Sequence, residues 1–243
     1  MPSDPVEILS YVLLQDSIIL GLVIGLFWAG VFAMRRLGRP VGYGLGALGL
    51  ARPDSGYFVA VVLGLMVGVG ALILSFLTLP LSIYVVEGLG YSAERTVQEP
   101  LMQGLGGWIG EDPGTAIPAT VFVVVLFAPA VEEVIFRGAL FGGLRRLVAF
   151  LFGKRREPGK GAGKQSGETV SFVVAALASS TAFALLHLEP VLLPTLFVLA
   201  IALCALYRRT GSLLASFAAH ATFNSFAVLI LILSGLGALP TQV

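Results

Sequence analysis

Apolar residues run along this chain in long unbroken stretches, and polar residues gather in the segments between them. That pattern is neither the alternation of a half-buried strand nor the narrow stripe of a surface helix. A helix that crosses the hydrocarbon of a bilayer needs about 20 mostly apolar residues. Six stretches qualify: 8–34, 57–86, 116–144, 170–188, 191–207 and 212–234. Lipid offers no hydrogen-bond partner to an open backbone, so such stretches must be helical. The pattern predicts an all-α, polytopic membrane bundle of six transmembrane helices.

The connections add an orientation. Arg35, Arg36, Arg39 and Arg52 follow the first span. Arg145, Arg146, Lys154, Arg155, Arg156, Lys160 and Lys164 follow the third, and Arg208 and Arg209 the fifth. The other connections are acidic: Glu87, Glu94, Glu99, Glu111 and Asp112 after span two, Glu189 after span four. Basic loops stay cytoplasmic. Every second loop is basic, which six spans with both termini outside satisfy throughout, in the plasma (cytoplasmic) membrane. The N-terminus carries no basic n-region, so the first span is expected to be retained. Between 87 and 114, Leu101, Leu105 and Trp108 fall at helical spacing and predict a short surface helix. Residues 153–168, rich in Gly and Lys, are expected to form a mobile cytoplasmic loop.

Composition agrees. Hydrophobic residues make up 57% and charged residues 12%, and mean hydropathy is +0.94. A soluble domain carries roughly twice that share of charge. A net charge of +1 gives no basic field for nucleic acid, so membrane lipid is the expected environment. Cys204 is the only cysteine and is read as a packing residue.

The polar residues inside the spans are the candidates for chemistry, because ionisable groups at membrane depth are costly and face protein cavities. Span three reads APAVEEVIFRG and carries Glu132, Glu133 and Arg137. Glu133 and Arg137 are four apart and share a helix face, whereas Glu132 points about 100° away from Glu133. Arg137 is expected to neutralise Glu133, leaving Glu132 to face the cavity as the candidate base. Phe183 and His187 share a face of span four, and His220 and Asn224 share a face of span six. Each alone has a plain structural reading: a buried ion pair, a hydrogen-bonded histidine, an interhelical amide. Together, a carboxylate, two imidazoles and a carboxamide around one cavity could activate a water and stabilise an oxyanion. Asp16, near the outer end of span one, is read as interfacial and left out of the site. His187 falls near the outer end of span four. A shared site therefore needs a deeper span four, or a turn within the membrane at Pro190 and Pro194.

These three motifs, Glu-Glu-x-x-x-Arg, Phe-x-x-x-His and His-x-x-x-Asn, in this order on separate apolar segments, resemble the CPBP (CAAX protease and bacteriocin-processing, or ABI) family of intramembrane endopeptidases. The resemblance covers about residues 116–230. It implies a helical bundle around a conical cavity and hydrolysis of a peptide bond in a membrane-associated protein or peptide, in the best-defined members a prenylated CAAX protein. It implies that Glu132 and His187 activate the water and that His220 and Asn224 stabilise the oxyanion. Glu133, Arg137 and Phe183 would support them. It leaves a metal open: Glu132, His187 and His220 could hold zinc, and the reading favoured here is none. Residues 1–115 would then be N-terminal helices and an extracytoplasmic loop, 116–234 the catalytic core and 235–243 a tail. Two other functions stay open. One is a non-catalytic scaffold or bacteriocin self-immunity protein of the same fold. The other is a proton-relay transporter, disfavoured by the lack of an inverted repeat. No His-Glu-x-x-His, intramembrane aspartate pair or Gly-x-Ser-x-Gly motif is present.

Overall fold

The computed structural model describes residues 4–38, 44–93, 99–153 and 162–239. Seven helices organise them: α1 (Pro5–Arg36), α2 (Tyr57–Gly88), α3 (Glu99–Glu111), α4 (Pro113–Ala149), α5 (Ala162–Leu186), α6 (Leu193–Thr210) and α7 (Leu213–Gly235). No strand occurs among the described residues. All but α3 are long and apolar enough to cross a membrane, and the crossing part of α5 is Gly167–Leu186. The chain is a multi-pass, all-helical membrane protein, and α3 is the short helix expected between spans two and three.

The boundaries differ where polar residues continue a helix beyond its apolar part. Pro5 opens α1, and the Asp4 carboxylate caps it by accepting from the Val6 N–H at 2.8 Å. At α5 the chain is helical from Ala162, so part of the segment expected to be a loop is helix. Residues 154–161 of that segment lie outside the described residues. Hydropathy marks where lipid begins, not where hydrogen bonding begins.

Lipid tails supply no hydrophobic drive for helix association, so close backbone approach and interhelical hydrogen bonds must supply it. The α2–α7 contact shows both effects. A Cβ on Gly64 would stand 2.5 Å from the Ala215 carbonyl oxygen, and one on Gly68 2.6 Å from Thr222 Cβ. The Thr78 and Thr195 hydroxyls, 2.9 Å apart, join α2 to α6. At the end that carries the basic residues, the Leu213 N–H donates to the Gly49 carbonyl at 2.9 Å and the Asp54 N–H to the Thr210 carbonyl at 2.9 Å. These bonds pin the segment after α1 over the α6–α7 turn.

Helix lengths create the space for a site. The 18 residues of α6 and the 20-residue crossing part of α5 reach about 27 and 30 Å. The 32 residues of α2 reach about 48 Å. The α5–α6 turn joins the two shorter helices and holds Pro190, with Pro194 in the first turn of α6. Leu188 takes a positive φ of 54° within it.

Gly68→Leu should wedge α2 from α7 and lower stability by about 2 kcal/mol or more, read as a reduced melting temperature in detergent. An unchanged melting temperature would show that the two backbones do not need this approach.

Candidate active site

The helix that carries the two glutamates is irregular. Two stretches of α4, Val121–Phe127 and Glu133–Phe141, are π-helical, with hydrogen bonds reaching five residues back. Proline explains what the first requires. The Ala128 N–H donates to the Val123 carbonyl. The next bond in that register would run from residue 129 to Val124, and Pro129 has no N–H. Asn224 of α7 supplies the donor, its Nδ2 lying 3.1 Å from the Val124 carbonyl oxygen. Next to the second stretch, the Ser179 hydroxyl of α5 donates to the Phe136 carbonyl at 2.9 Å. Side chains from two neighbouring helices thus complete the backbone of the third.

Glu133 and Arg137 project from the second π stretch into the sealed core, each side chain 1% exposed. Arg137 Nη1 lies 3.0 Å from Glu133 Oε1, and the same oxygen lies 3.0 Å from His220 Nδ1. The pairing anticipated from the four-residue spacing is present, with His220 as a third member. The Arg137 guanidinium also sits 4.3 Å above the Phe183 ring, where the π face attracts a cation. Phe183 is fully buried. Its ring centre lies 4.4 Å from that of His187 and 5.4 Å from that of His220. One aromatic ring therefore packs against the arginine and both imidazoles.

Glu132 points elsewhere. Its side chain is 26% exposed, and its Oε2 lies 3.8 Å from His187 Nε2 and 3.7 Å from His220 Nε2. The ligating atoms of Glu132, His187 and His220 all fall within 4.8 Å of one another. Their neighbours fix the hydrogens. His187 Nδ1 is 2.8 Å from the Phe183 carbonyl oxygen, an acceptor only, so this nitrogen carries a hydrogen. His220 Nδ1 faces the Glu133 carboxylate and carries one for the same reason. In both neutral rings Nε2 is then an acceptor, and both aim at Glu132 Oε2, itself buried and without a hydrogen bond. With both rings neutral, three acceptors face one another, and a bridging donor, a cation or a proton on one ring relieves them. At 3.7–3.8 Å the gaps are too long for direct hydrogen bonds and suit a bridging water.

The cluster opens onto a cavity of about 1540 Å³. Glu132, His187 and Asn224 line it, while Glu133, Arg137, Phe183 and His220 stand behind its wall. Asn224 keeps one amide hydrogen free of the Val124 bond. The rest of the lining is mostly apolar, and α1 supplies its long side. The structure thus brings together every residue singled out from the sequence. Two more acids line the cavity. Asp16, expected at the membrane interface, faces into it, and Glu189 lies in the turn after His187. The signal for Asp16 was legible. Leu9, Val12, Asp16, Ile19 and Val23 recur at alternating spacings of three and four, which sets Asp16 on the inward stripe.

Fold and site together define a multi-pass membrane protein whose buried Glu–His–His cluster is reached through an apolar cavity. Residues 114–226, which hold that cluster and its supports, match the family model described as type II CAAX prenyl endopeptidase Rce1-like. The match agrees with the resemblance read from the three motifs. It leaves out α1 and α2. No curated protein and no solved structure matched the chain.

Asn224→Ala leaves the Val124 carbonyl without its donor and should cost about 1 kcal/mol or more. Pro129→Ala restores a backbone N–H five residues on. In that background Asn224→Ala should cost measurably less, a coupling a double-mutant cycle reads directly. Strict additivity would refute the shared carbonyl.

Proposed function

We propose that this protein is an intramembrane endopeptidase that hydrolyses a peptide bond in a membrane-associated, prenylated CAAX-like protein or peptide. The family match supports the endopeptidase activity. The convergence of Glu132 Oε2 and the two histidine Nε2 atoms on one point, with both histidine Nδ1 atoms tied off behind them, carries the mechanistic reading. The long apolar cavity beside them supports a lipid-modified substrate.

In this reading a water lies between Glu132 Oε2 and His187 Nε2. Glu132 takes one of its protons as the water oxygen bonds to the scissile carbonyl carbon, and His187 orients it through the second. The carbonyl electron pair moves onto oxygen, and His220 Nε2–H and the remaining Asn224 amide hydrogen face it. With Nδ1 held by Glu133, a second proton on His220 leaves two carboxylates balanced by Arg137 and the imidazolium. The intermediate then collapses, the C–N bond breaks, and Glu132 passes its proton to the departing nitrogen. Glu133, Arg137 and Phe183 hold the rings without touching substrate.

The donor set also has the chemistry of a zinc site, one carboxylate and two imidazoles whose far nitrogens are tied to acceptors. Glu132, His187 and His220 would hold the ion, which would act as a Lewis acid on the water. Tetrahedral zinc sets its ligand atoms about 3.3 Å apart, closer than the 3.7–3.8 Å found here. We favour a water without a resident metal, because an Asn beside His220 suits oxyanion binding better than ligation.

Glu132→Gln should lower cleavage of a farnesylated CAAX peptide at least about 100-fold while leaving the melting temperature within a degree or two. Retained cleavage would sink the assignment of Glu132 as base. Purified protein should hold no stoichiometric zinc and keep its activity after chelation. Zinc at one per chain with chelator-sensitive cleavage would replace the water-only mechanism.

A further inference from the structure

Asp16 sits eleven residues beyond Pro5 in the spanning helix α1, on the stripe that lines the cavity it shares with Glu132. It has no hydrogen bond or ion pair with any described residue. A carboxylate inside a spanning segment is costly and is kept where it has a partner to meet. The cavity offers none at this level. Its cationic lining residue, Arg146, lies fourteen residues beyond Glu132 on α4, on the order of 20 Å along the helix. Arg146 already donates to the Ala47 carbonyl. The other ionisable groups on the wall near the cluster are Glu132 and Glu189, both acids, together with His187.

The depth matches that of the chemistry. Leu9 of α1 packs in one cluster with Val123 of α4. Both helices run from the acidic to the basic side, so seven residues further along α1 from Leu9 lies opposite the part of α4 just before Glu132. Asp16 therefore faces the candidate reaction centre across the cavity, from an element outside the family match.

We propose that Asp16 is a specificity-determining residue whose carboxylate receives a cationic side chain, Lys or Arg, carried by the substrate next to the scissile bond. The substrate then supplies the counter-charge that α1 lacks, in apolar surroundings where a charge pair is strong. The inference rests on the endopeptidase reading and names the class of sequence that site selects.

The test uses the full-length protein in detergent or liposomes and farnesylated CAAX peptides. The residues nearest the prenylated cysteine on either side carry Lys in turn, or Gln in its place. The wild type should cleave the best-placed Lys peptide at least about tenfold more efficiently, in kcat/KM, than its Gln counterpart. Asp16→Asn should bring that ratio near one, with most of the change in KM, and Asp16→Glu should restore it. Asp16→Lys should favour Glu at the same place. A wild-type ratio near one at every position, or a ratio unchanged in Asp16→Asn, overturns the proposal and leaves the endopeptidase reading intact. If wild type cleaves neither peptide, that reading falls instead. Fluorescence anisotropy of the labelled peptides then decides Asp16 alone: tighter Lys binding lost in Asp16→Asn supports it, and equal Kd values overturn it.

Discussion

The sealed pair of Glu133 and Arg137 is the constraint on which the site depends. Two opposite charges buried in a bundle that itself sits in lipid gain nothing from water, and neither can be left alone without a large penalty. The pair is met by each other, by His220 Nδ1 and by the face of Phe183, while Glu133 Oε2 and Arg137 Nε and Nη2 have no hydrogen bond among the described residues. Each of these contacts also does something for the reaction centre. The His220 bond fixes which nitrogen carries hydrogen and turns the other toward Glu132. Phe183, held under the guanidinium, packs against both imidazoles. A structural ion pair thus sets the orientation of the two imidazoles that face the candidate chemistry, though it does not line the cavity itself.

A second constraint is backbone satisfaction. A regular α-helix would satisfy all its own carbonyls, but α4 contains Pro118 and Pro129 and two π stretches. In lipid such a helix survives only if neighbours supply donors. Asn224 and Ser179 do so. This makes Asn224 a residue with two duties, one hydrogen for the Val124 carbonyl and one for the cavity. The irregularity sits where the glutamates are, and the donors that mend it come from the helices that carry His220 and approach His187.

The fold was legible because hydropathy is a direct reading of where lipid lies, and all six spans follow from it. The pairing of Glu133 with Arg137 was legible from helical spacing. Convergence of the two histidines on Glu132 followed from the motifs and not from any ruler of membrane depth, since His187 looked too close to the outer surface. The structure brings the three side chains together, and that convergence is a tertiary fact that hydropathy blurs by several residues. The first turns of α5 carry no sign of helix in their hydropathy, because polar residues at a helix end look the same as polar residues in a linker. The π stretches left no sequence sign beyond Pro129, and the Asn224–Val124 bond depends on register that only a folded backbone fixes. Asp16 was missed for a different reason: its position along the span was weighed and its place on the helical stripe was not.

The separation between α1 and the rest of the bundle follows from these constraints. The ion pair, the mended π-helix and the small-residue contact of α2 with α7 lock α4, α5, α6 and α7 around the glutamates, so that part must be rigid to keep acceptor atoms within 4.8 Å. α1 takes part in none of those bonds. Along most of its length it is exposed on one side and lines the cavity on the other. It is thus free to differ in sequence, or to lean away from α4, without disturbing a single hydrogen bond of the reacting cluster. The endopeptidase proposed above needs both properties, and placing them on different helices lets a fixed chemistry serve a variable entrance.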